Sequence, residues 1–103
     1  MVPITDVILK EYKELYVKEA GLGVDSDEML KRTLKSAYQY IIDKSDDFDI
    51  EKDETGKQLV FDRARYVRNN ASELFYQNFL PDLNSFGFKL AMERDYSATQ
   101  EDS

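Results

Sequence analysis

Leu30, Leu34, Ala37 and Ile41 recur at spacings of four, three and four. That rhythm puts all four on one stripe of an α-helix and divides them between the two faces of a strand. Thr33 and Tyr38 flank the stripe, while Met29, Tyr40 and Ile42 lie off it, so this helix has apolar material on more than one side and needs a second neighbour. Asp25-Ser26-Asp27-Glu28 ahead of it has the form of a capping box. The pattern predicts a helix over about residues 26–44.

Two further segments have the same period. After Thr5, an N-cap residue type, Ile8, Tyr12, Leu15 and Tyr16 share a face, which predicts a helix over about 6–20 ended by Gly21 and Gly23. Val60, Ala64, Val67, Ala71, Leu74, Phe75 and Asn78 trace a third and longest helix over about 57–79, expected to stop at Pro81. From 82 to 93 the pattern fits two structures. Phe86, Phe88, Leu90 and Met92 alternate as a strand would, whereas Leu83, Phe86 and Leu90 fit a short helix, which Gly87 weakens. The expected fold class is therefore all-α, a small bundle of three main helices with a short C-terminal helix or extended segment. Residues 1–94 read as one domain, and the polar tail 95–103 is expected to be disordered.

The residues that are missing narrow the chemistry. With no Cys and no His, neither the Ser-His nor the Cys-His nucleophile systems nor the common transition-metal sites can be built. There is no phosphate-binding glycine loop, and Gly21-Leu22-Gly23 follows a helix rather than a strand. Pairs of carboxylates have no apolar pocket around them in sequence. A non-enzymatic protein without a cofactor or bound metal is expected. The net charge of −7 disfavours a surface that grips nucleic acid. The opening MVPITDVILKEY has no apolar run long enough for a signal peptide or a membrane span.

Between the second and third helices, residues 45–56 read as a flexible acidic loop closed by the turn signal Thr55-Gly56. The stretch DKSDDFDIEKDE, which overlaps it, holds seven acids and two lysines. Asp43, Ser45, Asp47, Asp49 and Glu54 fall at positions 1, 3, 5, 7 and 12 of a calcium-loop window. Phe48 occupies the sixth position, where that loop needs glycine, so a solvated connection is favoured.

Arg63, Arg65 and Arg68 make the third helix locally basic, with Arg65 and Arg68 about 60° apart on the wheel. Phe61, Phe75 and Phe79 project nearby. Arginine beside aromatics serves protein contacts or base stacking, and in an acidic chain protein contact is favoured. Phe61, Arg65, Arg68 and Phe79, together with Asp47 and Asp49 of the acidic loop, are the candidate subunit interface.

The order of features resembles a known family. The segment DSDEMLKRTLKSAYQYIIDK is followed by an irregular acidic loop and then by LVFDRARYVRNNASELFYQNFLPDLNSFGFKLAM. Asp62, Arg63, Arg65, Tyr66, Asn69, Phe75, Asn78, Phe79, Leu80 and Leu83 carry the more specific part of the likeness. Over about residues 5–94 the chain resembles the head-tail connector (adaptor, head completion) proteins of long-tailed phages, the siphophages. The resemblance implies a structural virion protein, assembled in the host bacterial cytoplasm as a ring of about twelve copies. Such a ring sits on the portal protein, extends the DNA channel, helps to close the filled head and serves packaging and ejection of the genome. It also presents a platform for a neck stopper or tail-completion protein. DNA would pass through the lumen without sequence-specific binding, and no membrane is involved. Phe86, Phe88, Leu90, Met92 and Arg94 are the candidate portal contacts, with the segment able to add a strand to a sheet edge. Two readings from other classes stand beside this one: a small cytosolic interaction or regulatory module, and a calcium-responsive helix pair.

Overall fold

The structure, a computed structural model, describes residues 1–17 and 26–101, with side chains described as far as Asp95. Among them the chain is all-α. The first helix, α1, spans Asp6–Tyr16; α2 spans Asp27–Lys44, α3 Glu54–Arg68 and α4 Ser72–Glu101. The first helix, expected to reach Ala20, ends at Tyr16, where Val17 caps it with its N–H on Lys13 O; Gly21 and Gly23 lie outside the described residues. The first three helices each open on a side-chain oxygen that takes an otherwise unpaired N–H. Thr5 Oγ1 accepts from Ile8 N at 3.4 Å, Ser26 Oγ from Met29 N at 3.2 Å and Asp53 Oδ1 from Gly56 N at 2.9 Å. Each such cap contributes about 0.5–2 kcal/mol. Met29, not a glutamate, is the third residue after Ser26, so the reciprocal half of the expected capping box is missing.

The α2 stripe forms the centre of the core. Leu30, Leu34, Ala37 and Ile41 are buried along with Tyr38, and α1, α3 and α4 all pack against α2. On α1 the buried residues are Ile8, Leu9 and Tyr12, while Leu15, expected inside, is exposed. Lys57 ties α1 to α3 by pairing with Glu11 at 2.9 Å as well as with Glu54 at 3.1 Å.

The predicted helix 57–79 is two helices. The chain turns at Asn69 and Asn70, with Asn70 at φ 56°, a left-handed conformation that Asn tolerates better than other non-glycine residues. Ala71 N bonds Tyr66 O at 2.8 Å and Asn70 N bonds Val67 O at 3.1 Å, the paired reverse bonds of a Schellman ending. The turn breaks the apparent stripe: Val60 and Ala64 are in the core, Val67 and Leu74 are exposed, and Phe75 is buried by a different helix.

Pro81 lies inside α4 instead of ending it. An internal proline costs about 3 kcal/mol relative to alanine. Against this, Phe75, Leu83, Phe86 and Leu90 are all buried on one face of α4, each worth about 1.5–3 kcal/mol when fully removed from water. The segment 82–93 is accordingly neither extended nor a separate helix. Its strand-like alternation resolves into two one-turn pairs on different faces, Phe86 with Leu90 inside and Phe88 with Met92 outside. Helical backbone continues past Asp95 to Glu101, into the segment expected to be a disordered tail; residues 102 and 103 lie outside the described residues.

The acidic loop is shorter and better anchored than expected. It ends at Asp53, because Thr55 and Gly56 belong to the first turn of α3, and Phe48 and Ile50 are buried in the core. Phe48 packs edge-on to Phe86 at 5.0 Å and against Tyr38 at 5.0 Å. Gly56 is needed for this close approach: a Cβ there would collide with the Phe48 ring and stand 2.8 Å from Phe86 Cζ. The Tyr38 hydroxyl donates to Phe48 O and accepts from Ile50 N at 3.2 Å and Val2 N at 3.4 Å.

Replacing Tyr38 by Phe keeps the ring and strands these backbone groups, so Tyr38→Phe should lower unfolding free energy by about 1–3 kcal/mol in urea titration. An unchanged midpoint would mean that the hydroxyl does not hold the loop. At the α3–α4 turn, Asn70→Val should cost about 1–2 kcal/mol by the same measurement while Asn70→Gly does not destabilise.

Candidate functional site

The residues expected to contact a portal divide between inside and outside. Phe86 and Leu90, 2% and 6% exposed, are core residues, whereas Phe88 and Met92 are 69% and 55% exposed. The last two stand one helical turn apart on the outer face of α4, beside exposed Ser85 and Ala91. Arg94 closes this face by pairing with Asp46 at 2.9 Å and donating to Asp47 O at 3.3 Å, which ties α4 to the acidic loop.

Asp47 and Asp49 mainly shape the loop. The terminal amine of Met1, 2.8 Å from Asp47, holds that carboxyl below its ordinary range. Asp49 Oδ1 accepts from Glu51 N at 2.9 Å, and its carbonyl accepts from Lys52 N and Asp53 N. The other members of the calcium-loop window also point to local partners: Asp43 accepts from Gln39 and Ser45 Oγ donates to Ile41 O. Among the described residues, no three His, Cys, Asp or Glu side chains converge to hold a metal ion.

The expected arginine-aromatic interface is an internal seat for α1. Phe61 is 1% exposed and meets Tyr12 edge-on at 5.3 Å and Tyr16 at 6.1 Å. Arg68 donates to the Tyr12 hydroxyl at 3.4 Å, and Arg65 lies over the Tyr16 ring at 5.0 Å while pairing with Asp62 at 3.3 Å. Burial pushes the Tyr12 hydroxyl above its usual pKa, with Arg68 opposing. Arg63 covers Tyr40 at 3.8 Å and donates to Ser72 O at 3.0 Å, bracing the α3–α4 turn. Phe79 is half-buried and stacked on Phe75 at 4.5 Å. The aromatics of α1 are thus the partners that the third-helix pattern alone did not reveal, and helical spacing within one segment carries no signal for them.

Concavities among the described residues border these elements. One, about 800 Å³ between the loop and the end of α4, is lined by charges that already have partners, including Lys89, which pairs with Asp53, and Arg94, which pairs with Asp46. A groove of about 680 Å³ lies between the N-terminal segment and α2, with Val2, Pro3 and Ile4 beside Lys31, Arg32 and Lys35. A third, of about 600 Å³ between α3 and α4, has apolar Leu59, Phe79 and Phe86 beneath Glu54, Asp62 and Asp82. Neither the second nor the third was foreseen, because each joins residues distant in sequence.

Burial raises the Asp62 carboxyl above its ordinary value; Gln58 and Arg65 pull it down, and the neighbouring Asp82 carboxylate pushes it up again. A carboxyl raised in the folded state opposes folding when ionised, so its penalty is present at neutral pH and disappears as pH falls through the raised value. Asp62→Asn should therefore raise the melting temperature at neutral pH, with the gain shrinking toward acid pH. A loss at neutral pH would mean that the pair with Arg65 outweighs the burial cost.

Comparison with protein-family models, with curated protein sequences and with solved structures finds no match to the chain.

Proposed function

We propose that the chain is a structural subunit of a phage head-tail connector, a virion protein that forms a ring on the portal. In this reading it extends the DNA channel, helps to close the filled head and offers a platform to the next neck or tail protein. The exposed pair Phe88 and Met92 carries the proposal. Large apolar side chains presented together on the exposed face of a 30-residue helix suit an anchor for another protein better than a solvated surface. The resemblance around Asp62 to Leu83 supplies the identity of that partner.

The helical state of this segment changes the mode of docking. A helix has no free ladder of backbone groups to add to a sheet edge, so Phe88 and Met92 would enter an apolar groove on the portal as a helix face. Phe86 and Leu90 support that face from below. The subunit carries a net charge of −7, which suits a lumen along which DNA slides without adhering. No helix among the described residues is long and apolar enough to cross a membrane.

The same apolar pair would serve a small cytosolic interaction module, which differs in having no affinity for portal rings. Mixing the protein with portal rings and imaging them by electron microscopy separates the two, since a connector decorates the portal with a stacked ring. The double variant Phe88→Ser, Met92→Ser should fold with a stability change within about 0.5 kcal/mol per exposed site and decorate portal at least about tenfold less well. Equal decoration by the variant would remove this face from the contact, and bare portal with the wild-type chain would sink the connector reading.

A further inference from the structure

We infer that the acidic groove between α3 and α4 receives the basic outer face of α2 from a second copy of this chain. This rests on the ring-subunit reading and names the two surfaces through which neighbouring copies would meet.

The groove has an apolar floor of Leu59, Phe79 and Phe86 and carboxylates from Glu54, Asp62 and Asp82 around it, against the single lysine Lys89. Glu54 is answered by Lys57 and Asp62 by Arg65, but Asp82 makes no ion pair among the described residues. The side chain of Asp62 is only 14% exposed, so water screens it poorly from Asp82. A cation brought into this groove would meet two carboxylates that repel each other.

The outer face of α2 offers such cations. Met29, Arg32 and Lys35 are exposed along one side of the helix. Among the described residues Arg32 pairs only with Glu28, at 3.6 Å and with both side chains more than three-quarters exposed, a contact worth about 0–1 kcal/mol. Lys35 makes no ion pair among the described residues. Met29 supplies an apolar side chain for an apolar floor. The ridge from Met29 to Lys35 rises about 9 Å and the groove edge from Glu54 to Asp62 about 12 Å, at the rise of an α-helix, so the two are commensurate.

Charge also fixes the manner of pairing. Groove against groove would set carboxylates together, and ridge against ridge would oppose arginine and lysine, so a two-fold contact using either surface twice is repulsive. Groove against ridge is attractive. The groove and the ridge share no residue, so one copy can use both at once, and a heterologous contact of this kind propagates head to tail until it closes into a ring. Because its ion pairs are near the surface, the contact weakens as salt shortens the screening length.

Two variants of the full chain test it by sedimentation velocity. Arg32→Glu with Lys35→Glu reverses the ridge, and Glu54→Gln with Asp82→Lys reverses the groove; circular dichroism melts establish that both remain folded. The wild-type chain should associate with rising concentration at low ionic strength and dissociate in about 1 M salt, where the screening length is about 3 Å. Each variant alone should associate at least about tenfold more weakly. An equimolar mixture should recover association, since each variant's groove then meets a ridge of opposite charge. A mixture no better than its components, wild-type association that ignores the substitutions, or a wild-type chain that stays monomeric at every concentration would each overturn the contact. So would duplex DNA binding by the wild type that is lost in the ridge variant without any self-association, which would assign the α2 face to nucleic acid. Portal decoration separates this inference from the connector reading. A complete ring on portal from the ridge variant alone overturns the contact and keeps the connector, whereas a mixture that pairs but never decorates portal supports the contact and overturns the connector.

Discussion

The hydroxyl of Tyr38 lies in the core where two stretches without helical hydrogen bonding meet. It gives its proton to Phe48 O and receives N–H groups from Ile50 and Val2, which gives partners to polar backbone in an interior that would otherwise leave it unpaired. Its burial raises the pKa of the phenol, so the group stays a neutral donor. The acidic loop can therefore carry its charges at the surface while Phe48 and Ile50 are held inside, and the N-terminal segment lies across α2 instead of leaving it. The anchoring of the loop and of the N-terminal segment on α2 centres on that node.

From Tyr38 the order passes to α4. Phe48, positioned by its carbonyl, presents a ring to Phe86 across Gly56, where the missing Cβ lets the loop, α3 and α4 approach. Once Phe86 is seated, the helical period dictates the rest: Leu83 and Leu90 turn inward, Phe88 and Met92 turn outward. The exposed apolar pair is thus a consequence of core packing one turn away. At the opposite flank, arginines that resemble surface residues in the sequence are used to seat α1, through Tyr12 and Tyr16, and to brace the α3–α4 turn, through Tyr40 and Ser72. Their long apolar stems and planar guanidinium groups let them cover aromatic rings while keeping charge near solvent.

In the connector proposal these features divide the work of a subunit. There α4 would present an apolar face to the portal, while the charged surfaces on α2 and along the α3–α4 groove would be left to neighbouring copies. Apolar burial supplies most of the affinity at such contacts, and charge supplies register and exclusion of the wrong partner. A subunit with complementary but individually weak faces suits a protein that must remain soluble until a template gathers the copies.

The helical class, the α2 stripe and the cap Thr5 were legible in the sequence because they are local: a period of 3.6 and a side-chain oxygen two or three residues from its N–H need no knowledge of the rest of the chain, whereas the capping box expected from Asp25 to Glu28 is a single cap one residue later, at Ser26. The break at Asn69-Asn70 had a local signal too, two residues suited to a left-handed turn, but an apolar period running through them concealed it. Pro81 could not be placed inside a helix from sequence, because its local cost is outweighed only by Phe75, Leu83, Phe86 and Leu90 meeting residues far away in the chain. Likewise the alternation of Phe86, Phe88, Leu90 and Met92 fits a strand and a helix equally until a neighbour takes one pair into the core. Local pattern alone was enough to place α1, α2 and the body of α3 as helices and to show which residue types the chain lacks. Tertiary structure decided which aromatics and arginines face outward, because burial belongs to pairs of elements and only packing, through Tyr38, Phe48 and Gly56, brings those elements together.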